Sequence, residues 1–158
     1  MNKRSLNVIT IRQAETSDAE KIKSFLGQLG YADFEVPDVS AKIISHQAPG
    51  YQILVAEVEA QVVGFISLHW FDLVHWKGKL GRITSFCVDQ NFRSKGVGHQ
   101  LLSAGEAVFR REGCAKFEVT SNLKRTRAHE FYLREGYLED SKRFVKYPNQ
   151  FPDIYSPT

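Results

Sequence analysis

The segment from Leu80 to Thr120 changes its hydrophobic period twice, and this limits the fold more than any other feature of the chain. LGRITSFCV (80–88) is a short β-branched and apolar run, the pattern of a buried strand. A glycine-containing polar stretch follows. Leu101, Leu102, Gly105, Val108 and Phe109 then recur at helical spacing until Gly113. KFEVT (116–120) returns to strand character. A strand, a helix and a strand of these lengths make a βαβ unit, so the two strands should be parallel with a right-handed crossover.

The flanking segments do not continue that alternation. NVITIR (7–12) reads as a strand. Ser17 and Glu20 have capping-box spacing, and Ile22, Phe25, Leu26 and Leu29 form one helical face stopped by Gly30. Pro37-Asp38 marks a second helix start, with Val39, Ile43 and Ile44 as its apolar stripe, ending before Pro49-Gly50. YQILVAEV and QVVGFISLHW form a hairpin about Glu59, followed by a Trp- and His-containing loop from Phe71 to Lys79. Lys124 to Glu135 reads as a helix with Ala128, Phe131 and Tyr132 on its apolar side, ended by Gly136. KRFVKY (142–147) reads as a last strand, with a further short one at Tyr137-Leu138 left open. The order βααβββαβαβ with adjacent hairpins predicts an α+β fold. The whole chain, 1–158, is expected to be one domain, with a core over about 7–147 and a Pro-rich tail at 148–158.

Charge and cysteine content exclude several classes. Twenty-one Lys and Arg against 18 Asp and Glu give a net charge of +3, scattered rather than gathered in a basic stripe, so no nucleic-acid partner is expected. Cys87 and Cys114 form no CxxC, which argues against a metal or a disulfide framework. MNKRSLNVITIRQ lacks an apolar signal core and no stretch approaches a membrane span, so the expected location is cytoplasmic.

The connection NFRSKGVGHQLL (91–102) sits where a strand meets a helix N-terminus. Backbone N–H groups without helical partners and the macrodipole make such a point an anion site. Gly96 and Gly98 let a phosphate approach the backbone, and Arg93 and Lys95 add charge. Lys95 precedes Gly96, which excludes a Walker A loop, and Leu101 stands where a dinucleotide loop needs a third glycine.

Arg93-Ser94-Lys95-Gly96-Val97-Gly98 resembles the acetyl-CoA pyrophosphate loop of the GNAT superfamily of N-acetyltransferases, Gln/Arg-x-x-Gly-x-Gly/Ala. The opening ITIRQAETSDAEKI resembles that family's first strand and capped helix. Asn122 followed by RAHEFYLREGY is similar to its second donor-contacting region, matching at Asn122, Ala128, Tyr132 and Gly136. The resemblance covers Val8 to Tyr147. It implies a mixed, mostly antiparallel central sheet of about six to seven strands flanked by four helices. It implies acetyl-CoA as co-substrate, no metal, and direct transfer of the acetyl group to a primary amine in a ternary complex.

The same resemblance implies the roles. Phe86, Cys87 and Val88 would pair with the pantetheine arm through their backbone. Arg93, Ser94, Lys95, Gly96, Val97 and Gly98 would hold the pyrophosphate, and Asn122 and Tyr132 would contact the donor. Tyr132 matches the family's general acid. Many relatives carry an acidic base near Thr84 or Ser85, and this chain does not. Candidates for that work are a water relay through Ser85, His69 or His75, and Glu118. Cys87 reads as a buried small apolar residue, and His129 as a structural or substrate-adjacent polar one. Tyr31, Trp70, His75 and Trp76 are expected to line the pocket of a small amine of aminoglycoside, polyamine or aminophosphonate type. A protein amine, a non-catalytic acyl-CoA-binding module and a homodimer stay open.

Overall fold

The computed structural model describes residues 8–148. These residues divide into two compact units at Leu123/Lys124. The first contains a five-stranded sheet in the order β1 (Ile9–Gln13), β2 (Tyr51–Val58), β3 (Gln61–Asp72), β4 (Lys79–Val88) and β5 (Cys114–Val119). Its helices are α1 (Ala19–Gln28), α2 (Val36–Ser45) and α3 (Val97–Arg111). Successive strands pair antiparallel except β4 and β5, which are parallel around α3, as the period changes require.

The strand count is lower than six to seven. KRFVKY has no regular structure among the described residues, and neither has Tyr137-Leu138. Phe144 and Val145 are both exposed, at 89% and 54%, so the apolar pattern buries nothing that would hold a strand. Expectations for residues 1–7 and 149–158, including most of the tail, fall outside the described residues.

The helix starts differ from the capping pattern read above. α1 is entered through Glu15 and Asp18, not Ser17 and Glu20. The Glu15 N–H donates to Asp18 Oδ2 at 2.8 Å, and both side chains complete a reciprocal box. Asp18 wins because Arg12 reaches it with both terminal nitrogens at 2.8 Å. α2 repeats the device with Glu35 and Asp38, and begins at Val36. Ile44 is 58% exposed, so the stripe of α2 is Val39 and Ile43 only. The β2–β3 turn places both Glu59 and Ala60 at positive φ, 51° and 62°, as a two-residue turn with right-handed strand twist requires.

The core has two sides. Ile22, Phe25, Val39, Ile43, Ile53, Val55, Phe65 and Cys87 pack together, joining α1 and α2 to one face of the sheet. Leu101, Leu102, Gly105, Val108 and Phe109 are all buried on α3, as their spacing predicts, and Val97 joins them at its first turn. α3 lies close to the other face: a Cβ on Gly81 would come within 2.5 Å of the Phe109 ring, and one on Gly105 within 3.2 Å of Leu68.

The second unit contains α4 (Thr126–Arg134). Tyr137 N–H closes back onto Tyr132 O at 2.9 Å and Gly136 N–H onto Leu133 O at 3.1 Å, the paired bonds of a Schellman stop. The Tyr132 ring meets Phe131 and Tyr137 edge-on at 5.4 and 5.7 Å.

Candidate functional site

β4 changes neighbours part-way along. It pairs with β5 from Lys79 to Ile83, where Ile83 faces Val119, and the pairing then stops while β4 runs on to Val88. A bulge marks the point: Ser67 of β3 faces Ser85 and Leu68 faces Ile83, so Thr84 is the extra residue. Thr84 Oγ1 donates to Ser67 O at 3.2 Å and is itself joined by the Ser67 hydroxyl. The bulge thus sits where β5 leaves. The segment Thr84–Val88 contains Ser85, Phe86, Cys87 and Val88, all expected at the site. Cys87 is buried in the α1–α2 core with its thiol 3.8 Å from Val88 O. That packing matches the small-apolar reading.

The loop after β4 is shaped at the backbone. Asp89 Oδ1 accepts the Asn91 N–H at 2.9 Å, and Arg93 Nε donates to Val88 O at 3.4 Å. Ser94 and Gly96 both lie at positive φ, 63° and 84°, with Lys95 between them at negative φ. Alternation of this kind turns successive N–H groups toward one concavity. Gly96 is the N-cap of α3, and the first intrahelical bond runs from Gln100 N–H to Gly96 O at 3.1 Å. The N–H groups of Val97 and Gly98 therefore precede the helical ladder. No carboxylate stands in the first turn. Arg93, Ser94, Lys95 and Gly96 are exposed, while Val97 is buried and anchors the helix end. The space where a Gly96 side chain would begin is open, with no atom within 4 Å. These residues fit a pyrophosphate: backbone donors, a dipole of the right sign, two cations and room.

Register defines a second feature. On β3, Phe65, Ser67, His69 and Phe71 alternate onto one face. Phe65 belongs to the α1–α2 core, so this is the α1–α2 face. His69 faces Tyr51 of β2 and Arg82 of β4. Tyr51 stacks on the imidazole at 4.2 Å, and Phe71 at 4.9 Å. Arg82 lies over Phe71 and binds Glu118 Oε1 of β5 through Nη2 at 2.5 Å and Nε at 2.6 Å. Lys116 lies over Trp76. A strip of polar and aromatic groups therefore runs from the bulge toward the start of β4. Of its members, Ser85, His69, Glu118 and Trp76 were legible as candidates, whereas Tyr51 and Arg82 had no local signal.

The remaining expected residues are dispersed. Tyr31 is exposed just past α1, its N–H closing onto Leu26 O at 2.8 Å. His75 is exposed in the β3–β4 connection. Trp70 faces Gly81, whose missing Cβ points at Phe109, so Trp70 belongs to the α3 face. It lines an open cleft of about 570 Å³ with Tyr51, Phe71, Asp72, Lys79 and Glu112. That cleft stands at the start of β4, about 30 Å of strand from the glycine loop, and holds none of the loop residues. Asn122 is exposed after β5. In the second unit, burial pushes the Tyr132 phenol up to about 12, with a smaller opposing effect from Arg125.

The family model of the GNAT acetyltransferases matches residues 17–137. An aminoalkylphosphonate N-acetyltransferase of Salmonella typhimurium (strain LT2) is 32% identical over 144 residues, covering 88% of this chain and 91% of its own. The aminoglycoside N-acetyltransferase AAC(6')-Iy in complex with CoA superposes with a TM-score of 0.80 at 19% identity, over 96% of this chain and 100% of that one. Glucosamine-6-phosphate N-acetyltransferase from Arabidopsis thaliana gives 0.76 at 23% identity, over 89% and 98%. The loop, the departing strand and the α+β order accordingly have one source: this chain belongs to the GNAT family and is an acetyl-CoA-dependent acyltransferase.

Proposed function

We infer that the chain moves the acetyl group of acetyl-CoA to the primary amine of a small molecule by direct attack in a ternary complex, and that its acceptors carry a phosphonate or similar anion. The observation that carries the reading is the Arg93–Gly98 loop, an open backbone cradle placed at the end of a strand that has lost its neighbour. In this reading Arg93, Ser94, Lys95, Gly96, Val97 and Gly98 hold the pyrophosphate. Phe86, Cys87 and Val88 pair with the pantetheine arm, and Asn122 steadies the donor. Acetyl-CoA supplies an acyl group activated as a thioester.

Tyr132 serves the leaving sulfur as a hydrogen-bond donor. A phenol at about 12 stays protonated throughout the neutral range. Handing its proton fully to a thiolate of ordinary pKa, about 8.5, would cost roughly 5 kcal/mol at 1.36 kcal/mol per unit. Donation without transfer avoids that cost and stabilises developing negative charge. Ser85, at the bulge, orders the water or the amine beside the reacting carbon.

The acceptor class rests on two supports. The relative that is 32% identical is an aminoalkylphosphonate N-acetyltransferase. The α1–α2 face carries the Arg82 guanidinium, 45% exposed, and Lys116 beside Trp76, both able to meet an anion. Tyr31, His75 and Trp76 border the acceptor; Trp70 lies on the other face.

The test is initial-rate thiol release with acetyl-CoA and an aminoalkylphosphonate both varied. Intersecting double-reciprocal lines are expected. Parallel lines would overturn direct attack in favour of an acetylated enzyme. Acetyl-CoA binding without thiol release on any amine would overturn catalysis on small amines.

A further inference from the structure

The strand positions that commonly hold an acidic base are Thr84 and Ser85 here, and their hydroxyls are too weakly basic to take a proton from an ammonium group at neutral pH. The α1–α2 face offers another group. His69 is half-buried on β3, in the β3 position facing Arg82, the residue just before Ile83, where β4 and β5 make their last pair. It lies on the same face as Ser67 and Ser85, about 7 Å away along the strand.

Three contacts fix its ring. Tyr51 stacks on it at 4.2 Å with an interplanar angle of 11°, and Phe71 at 4.9 Å and 26°. Nδ1 lies 2.8 Å from Gly50 O. A carbonyl only accepts, so Nδ1 carries the proton. In the neutral ring Nε2 is then the basic nitrogen, held in one orientation by backbone and aromatic planes. The charged and titratable groups around it are Arg82 across β4, Glu118 bound to Arg82, Tyr51 itself, and His46, which meets Tyr51 edge-on at 5.2 Å.

We propose that His69 Nε2 takes the proton from the acceptor ammonium. This rests on the acetyltransferase reading above. The balance is complete: the ammonium gives one proton to Nε2, and the freed amine forms the C–N bond. The C–S bond breaks with its electron pair going to sulfur. The second nitrogen proton reaches the thiolate, and His69 returns its proton to water. The products are an acetamide, free CoA thiol and one proton.

The test is the pH profile of kcat/KM for an aminoalkylphosphonate in the wild type and in His69→Gln. The wild type should show an acidic limb set by one ionisation. In the variant that limb should be replaced by one at higher pH that follows the amine's own ionisation, and activity near neutrality should fall about 100-fold. At alkaline pH, where the amine is already neutral in water, the variant should approach wild-type rates. Acetyl-CoA binding should change less than twofold. An unchanged limb, or a loss equal at every pH, overturns the assignment to His69. Absence of thiol release in the wild type defeats the acetyltransferase reading instead, so the two failures are distinct. Should the variant misfold, imidazole nitrogen shifts in the wild type decide: the Nδ1–H tautomer is expected, and Nε2–H overturns the proposal.

Discussion

Gly96 and Gly113 cap opposite ends of α3 with nearly the same backbone, φ 84° and 83°, and a Cβ at either would meet nothing within 4 Å. Their alanine variants therefore share one penalty and differ in one respect. Placing a Cβ in the left-handed region costs about 1–2 kcal/mol. For a chain of this length that lowers Tm by about 2–8 °C. Gly96→Ala and Gly113→Ala should show this drop alike. Only Gly96 borders the N–H groups of the proposed anion cradle. A methyl there that displaces one phosphate contact removes a charge-assisted hydrogen bond worth about 1.5–3 kcal/mol. That corresponds to an acetyl-CoA KM raised about 10- to 100-fold. Steady-state thiol release at saturating amine, beside thermal melts, reads both quantities. The expected result is equal Tm loss in the two variants with a KM increase confined to Gly96→Ala. Equal KM values would show that Gly96 serves the helix start alone, and the cradle assignment would be wrong.

Three further outcomes follow from the same contacts. Tyr132→Phe should fold normally and lower kcat about 10- to 100-fold through one lost donor, measured by thiol release; an unchanged kcat removes the role. Asp18 is buried, which alone would raise its carboxyl, but hydrogen bonds from Arg12 and from Glu15 N–H and the charge of Arg12 hold it below the usual range. That stability is present above about pH 4 and is lost as pH falls through the lowered folded value. Asp18→Asn should cost about 2 kcal/mol at pH 7, less than a fully buried pair because Arg12 is 30% exposed, and the difference should shrink in denaturation at pH below 4. Gly81→Ala drives a Cβ to 2.5 Å from a fully buried Phe109 ring, so Tm should fall by several degrees, about 1–3 kcal/mol, with the acetyl-CoA KM unmoved.

The βαβ unit was legible because its periods of 2 and 3.6 adjoin without overlap, and each buried residue named on α3 is buried. Helix capping was not, because Glu15/Asp18 and Ser17/Glu20 have the same spacing. The choice lies with Arg12, which binds Asp18 and Glu57 at once. KRFVKY shows how an apolar pattern misleads: Phe144, Val145 and Tyr147 alternate incompletely and remain exposed. At the site, the loop was legible because its glycines, cations and helix start are contiguous. Arg82–Glu118 and Tyr51–His69 are cross-strand pairs far apart in the chain, and only register joins them. Trp70 adjoins His69 on β3 yet lies on the α3 face, since one step along a strand changes the face.

Competing acceptors decide whether the enzyme transfers acetyl to a small amine bearing an anion. The measurement is kcat/KM for thiol release with an aminoalkylphosphonate, with the alkylamine of equal chain length, and with an aminoglycoside. The aminoalkylphosphonate should exceed both by at least about tenfold, the worth of one charge-assisted contact. Equal or higher values for the neutral-tailed amine or the aminoglycoside would contradict it.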